Sequence, residues 1–156
     1  MRGIPHDVIA AISYVALRPL AIGAIGTIKE NPMAKASKET TPTTMDFALA
    51  EDRSCALEDF TVNFVTIRQD HDLGPMLAAL PGGMCQCPHW GVITKGRMTV
   101  RYADRTEVFE AGDAFYMPPG HAPAAEAGTE LIQFSPTDLL AATEAAIADA
   151  MQHTPS

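Results

Sequence analysis

The sequence predicts an all-β sandwich or barrel followed by a C-terminal α-helix. Between Phe60 and Phe134, short runs of apolar and polar residues alternate with period two, and each run ends in Gly, Pro or Asp. The chain also holds 12 Pro and 11 Gly, a density of turn formers that suits short strands and not a helical bundle. A third observation is the alanine-rich stretch after Ser135, where the period changes to that of a helix.

The elements follow in order. Phe60, Val62 and Phe64 alternate with Thr61 and Asn63, as in a half-buried strand. Asp72-Leu73-Gly74-Pro75 and Leu80-Pro81-Gly82-Gly83 bracket a short apolar connection. Val92-Ile93-Thr94 leads through a Lys95-Gly96 turn into Met98-Thr99-Val100-Arg101-Tyr102, which alternates strictly. Glu107-Val108-Phe109, Ala114 to Met117 and Leu131 to Phe134 complete the strands, with a Pro118-Pro119-Gly120 turn before the last. Ser135-Pro136-Thr137-Asp138 then offers a capping side chain, a proline for the first helical position and an early acid. Leu140, Ile147 and Met151 lie on one stripe of that helix, which is expected to pack on the outside of the barrel.

These readings divide the chain into an N-terminal extension (1–55), a barrel (56–135) and a helix with tail (136–156). Val8 to Ile28 is apolar on average but is cut by Arg18-Pro19 and by two glycines. That makes it a poor membrane span and an incomplete signal peptide. The polar run after Met33 fits a disordered tail, and a translation start at Met33 accounts for both segments.

Charge narrows the partners. Lys and Arg number 11 against 19 Asp and Glu, a net charge of −8. Such a surface is unsuited to nucleic-acid phosphates or anionic lipid. Three cysteines, two of them a single residue apart, do not make a disulfide scaffold and suit a reducing, cytoplasmic compartment.

Cys85-Gln86-Cys87-Pro88-His89 carries the chemistry. In an extended strand Cys85, Cys87 and His89 project to one face, with Pro88 at an edge or bulge. Two thiols and an imidazole suit a divalent transition metal: zinc first, with iron, manganese and nickel as alternatives. His121, placed by the preceding turn, is the best remaining ligand. His6, His71 and His153 are expected in solvent. A redox pair of Cys85 and Cys87 competes weakly, because a Cys-x-Cys ring is strained.

Gly112-Asp113-Ala114-Phe115-Tyr116-Met117-Pro118-Pro119-Gly120-His121 resembles the second motif of the cupin superfamily. His89-Trp90-Gly91-Val92-Ile93-Thr94-Lys95-Gly96 resembles the end of the first. The resemblance covers about Phe60 to Phe134 and implies a double-stranded β-helix, or jelly-roll barrel, with one internal site. It also implies a homodimer. The family's usual first motif carries His-x-His and then a glutamate about seven residues before the turn glycine. Here that glutamate position holds His89, and the two histidine positions hold Cys85 and Gly83. The usual second-motif histidine position holds Pro123, while His121 directly follows Gly120. The resemblance is therefore greatest to small bacterial cupins with Cys and Pro-His in the first motif and Pro-Pro-Gly-His in the second.

Two functions lead, and a redox dioxygenase is a third, weaker option because thiolate ligation does not resemble the usual non-haem iron set. One is a metal-dependent enzyme acting on a small organic molecule through a Cys/His-bound ion. The other is a non-catalytic ligand-binding or sensing module with a structural zinc. Four protein ligands close a zinc site, whereas three leave a position for exchange. Glu126, Glu130, Tyr116 and Gln133 are candidate accessory groups. Trp90, Phe109, Phe115 and Met117 are expected mainly to pack the barrel.

Overall fold

The computed structural model describes residues 35–152. The strands, in chain order, are β1 (Thr43–Asp46), β2 (Ala50–Leu57), β3 (Phe60–Ile67), β4 (His71–Asp72), β5 (His89–Lys95), β6 (Arg97–Arg101), β7 (Thr106–Glu110), β8 (Ala114–Met117), β9 (Ala122–Ala125) and β10 (Glu130–Pro136). A short helix α1 (Gly74–Leu77) and a 3-10 turn (Pro81–Gly83) connect β4 to β5, and helix α2 (Thr137–Gln152) follows β10. One sheet has the order β1-β2-β3-β10-β5-β8 and the other β4-β9-β6-β7. From β5 onward the chain passes repeatedly between the sheets, which is the winding of a jelly roll.

Register decides which side chains face inward. His89 lies opposite Met117, Gly91 opposite both Phe115 and Gln133, and Ile93 opposite Leu131. Directly opposed residues project to the same side of a sheet. These residues therefore share the inner face, where Ile93, Met98, Val100, Tyr102, Phe115, Met117 and Leu131 form the main core. The same face continues through Val65 and Asn63 of β3 to Asp52 and Ser54 of β2.

Gly91 is required by a close approach: a Cβ there would collide with the Phe115 ring and the Ile132 carbonyl oxygen. Gly91→Ala is expected to cost about 1–3 kcal/mol through overpacking. The loss is read as a lower urea midpoint with an unchanged slope.

The opposite face of the large sheet is apolar and open. Phe60, Trp90, Val92, Tyr116 and Phe134 are all exposed there. Trp90 stacks on Tyr116 at 5.0 Å and meets the Phe60 ring edge-on at 6.1 Å. Tyr116 and Trp90 thus sit outside the barrel, whereas Phe115 and Met117 pack its interior.

Three sequence expectations change. The sheet begins at β1 and β2, so the boundary expected at residue 55 falls inside the fold. These strands escaped notice because β2 turns Asp52 and Ser54 inward in place of apolar residues. Pro136 is the last residue of β10, opposite Phe60, and α2 starts one residue later at Thr137. His71, expected in a solvated loop, lies in β4 opposite Ala125. The readings of residues 1–32 and of His6 and His153 lie outside the described residues. Among the described residues, no helix is long and apolar enough to cross a membrane.

Helix α2 packs where the stripe predicted. Leu140 and Ile147 lie against a cluster of Leu77, Leu80, Cys85, Cys87 and Ala122. That cluster forms the wall beside the chemical site.

Candidate metal centre

Cys85, His89 and His121 come together inside the barrel. Each is buried, and one ligand atom from each lies within 4.8 Å of the other two. His89 opens β5 and projects inward with Gly91 and Ile93. Cys85 reaches the site by another route from the one expected, because residues 84–88 do not form a strand on one face. Cys85 instead makes an isolated antiparallel bridge with His121. Its N–H donates to the His121 carbonyl at 2.8 Å, and the Gly120 N–H donates to the Cys85 carbonyl at 2.7 Å. Gly120 has φ 90°, a left-handed conformation that glycine adopts without strain, and this aims His121 back inward. The two ligand-bearing stretches are thus tied backbone to backbone.

The imidazoles are oriented by their second nitrogens. His121 Nδ1 lies 2.6 Å from the Pro118 carbonyl oxygen. A carbonyl only accepts, so Nδ1 carries the proton and Nε2 keeps its lone pair. His89 Nδ1 lies 2.7 Å from Ser135 Oγ, and its Nε2 faces Cys85 Sγ at 3.6 Å. Zinc bonds of about 2.3 Å to sulfur and 2.0–2.1 Å to nitrogen, at a tetrahedral angle, also separate the two donors by about 3.6 Å. The donors therefore fit a metal ion. Such outer hydrogen bonds fix the tautomer and ring orientation of a ligand histidine. Ser135→Ala is accordingly expected to weaken metal binding by about 10–100-fold, read by competition with a chromophoric chelator.

Electrostatics favour the ligating form of the two imidazoles and oppose that of the thiol. Burial, and then the neighbouring His121, lower the pKa of His89 from 6.5 to about 3. Burial also lowers that of His121, against an opposing effect of the Pro118 hydrogen bond. Both rings are therefore neutral near pH 7, the state in which imidazole ligates. Burial raises the pKa of the Cys85 thiol.

Cys87 is also buried but lies outside this group of three. Its thiol is 3.5 Å from the Pro88 carbonyl, and its pKa is pushed up to about 12 by burial and by the charges of Cys85 and Glu144. The other accessory candidates separate clearly. Glu126 is exposed beside Arg97, and Glu130 pairs with Lys38 at 2.8 Å. Tyr116 is on the outer face. Gln133 does face inward, two residues before Ser135 on β10. Ser135 was missed by sequence reading because Ser135-Pro136 looks like a helix cap, and its contact with His89 spans 46 positions.

The winding and the buried thiol and imidazoles make a jelly-roll barrel with a candidate metal site inside. No family model matches the sequence, and no curated protein matches it. Solved structures similar to it include an RmlC-like cupin from Shewanella frigidimarina NCIMB 400, with TM-score 0.46 and 15% identity over 65% of this chain and 88% of that one. AerE from Microcystis aeruginosa is similar with TM-score 0.45 and 12% identity, over 56% of this chain and 41% of that one. A cupin-2 domain containing protein from Shewanella frigidimarina NCIMB 400 has TM-score 0.36 and 12% identity, over 54% and 76% of the respective chains.

Proposed function

We propose that this protein is a metal-dependent enzyme acting on a small organic molecule, with one divalent ion held by Cys85, His89 and His121. Zinc is the first candidate because it takes thiolate and imidazole together. The observation that supports an enzyme is the number of converging donors, which is three among the described residues. Three protein ligands leave zinc a position for exchange, the arrangement of catalytic sites. When bound, the ion supplies Lewis acidity toward an oxygen atom of the molecule beside it. The protein contributes the rest. Ser135 orients the His89 ring, the Pro118 carbonyl fixes the His121 tautomer, and Cys85 would supply a single negative charge once a bound cation displaced its proton. The apolar wall of Leu77, Leu80 and Ala122 limits water.

The test loads the full chain with cobalt and adds azide. A visible spectrum that changes with azide supports an open site. A spectrum indifferent to azide but altered by Cys87→Ser places a fourth protein donor on the ion, and the closed zinc module replaces the enzyme.

A further inference from the structure

The inner face of the large sheet holds a second group of polar residues that the cage does not use. Asn63 of β3 is 6% exposed, and its Nδ2 donates to Asp52 Oδ2 at 2.7 Å. A carboxylate only accepts, so this bond fixes the orientation of the amide. Asn63 Oδ1 is then a buried acceptor with no hydrogen-bond partner among the described residues. Leaving such an atom unpaired costs about 1–3 kcal/mol, so it calls for an explanation.

Register places Asn63 on the same inner face as the candidate metal ligands. Asn63 pairs with Gln133, which pairs in turn with Gly91, so all three face the same interior. Gln133 stands two residues from Ser135, the partner of His89. It is half-buried although it shares that inner face. Asn63 lies two strands across and two residues along from His89, about 12 Å between backbones. Side chains reaching inward from both positions shorten that gap.

We infer that Asn63 and Gln133 form the second half of a ligand site, binding a hydrogen-bond donor on the molecule whose other end reaches the cage. The inference rests on the proposed enzyme reading and adds the substrate class. The ligand carries an oxygen for the ion at one end and a donor, hydroxyl or ammonium, at the other. An acceptor that is already desolvated rejects a ligand that lacks the donor, because its oxygen then stays unpaired.

The test begins with metal content, which judges the cage separately. Zinc-loaded full chain is then titrated calorimetrically with three probes of equal length: 5-hydroxypentanoate, 5-aminopentanoate and hexanoate. The hydroxyl or the ammonium probe is expected to bind at least about tenfold tighter than hexanoate, and which of them does so identifies the donor. In Asn63→Leu that preference is lost, while zinc content and hexanoate binding are unchanged. Gln133→Met, which leaves Asp52 its partner, reduces the preference and covers the case in which Asn63→Leu fails to fold. Equal affinity for all three probes overturns the inference, as does a preference that survives both substitutions. If the chain binds no metal, 1,5-pentanediol is added to the metal-free protein. Shifts of the Asn63 and Gln133 side-chain amide resonances then retain the donor site without the cage, and unmoved resonances overturn it.

Discussion

Cys85→Ser and His121→Ala are each expected to reduce bound metal from the proposed one ion per chain to a trace. The two residues come from separate stretches, yet their ligand atoms share one space with His89. Losing a ligand costs more than losing an outer partner, so the affinity falls by more than about 100-fold in either variant. Cys87→Ser keeps its metal, because that thiol lies outside the group and meets the Pro88 carbonyl. Metal analysis after desalting separates the three variants, and far-UV circular dichroism verifies that each is folded. Unchanged metal in both Cys85→Ser and His121→Ala would remove the cage.

The metal-free protein loses stability in acid, chiefly through His89. Its pKa is lowered from 6.5 to about 3 in the folded chain, mainly by burial. The folded ring therefore binds its proton later than the unfolded one as the pH falls. Its contribution is complete above pH 6.5 and is lost on descent toward pH 3. At about 1.4 kcal/mol per pKa unit the loss is on the order of 5 kcal/mol. His121 acts in the same direction. Urea midpoints of the metal-free chain should therefore fall steeply over this interval. The slope should be shallower for His89→Gln, and an equal slope in both proteins would deny His89 this role.

The strands with apolar alternation were legible because their inner face is the main core, as in Met98 and Val100 of β6. β2 was not, since Asp52 and Ser54 stand where alternation calls for apolar residues. Of the four donors expected, Cys85, His89 and His121 converge and Cys87 stands apart, and the geometry of the group was not legible. Sulfur and nitrogen donors could be picked by type, and the glycine turn pointed to His121. That Cys85 is positioned by the His121 backbone, and His89 oriented by Ser135, depends on contacts between distant segments. Local spacing holds no record of such contacts. Pro136 misled for the same reason: its neighbours satisfy a helix start, but pairing with Phe60 keeps it in the sheet.

Trp90, the single tryptophan of the chain, immediately follows His89 on β5 and leans on Tyr116 outside the barrel. Because neighbouring strand residues point to opposite faces, the indole reports on its ligand neighbour without touching the interior. The protein thus carries its own optical gauge: a quenching ion such as cobalt or copper, if seated behind that strand as proposed, would dim the emission in step with occupancy, and no foreign label would be needed to follow it.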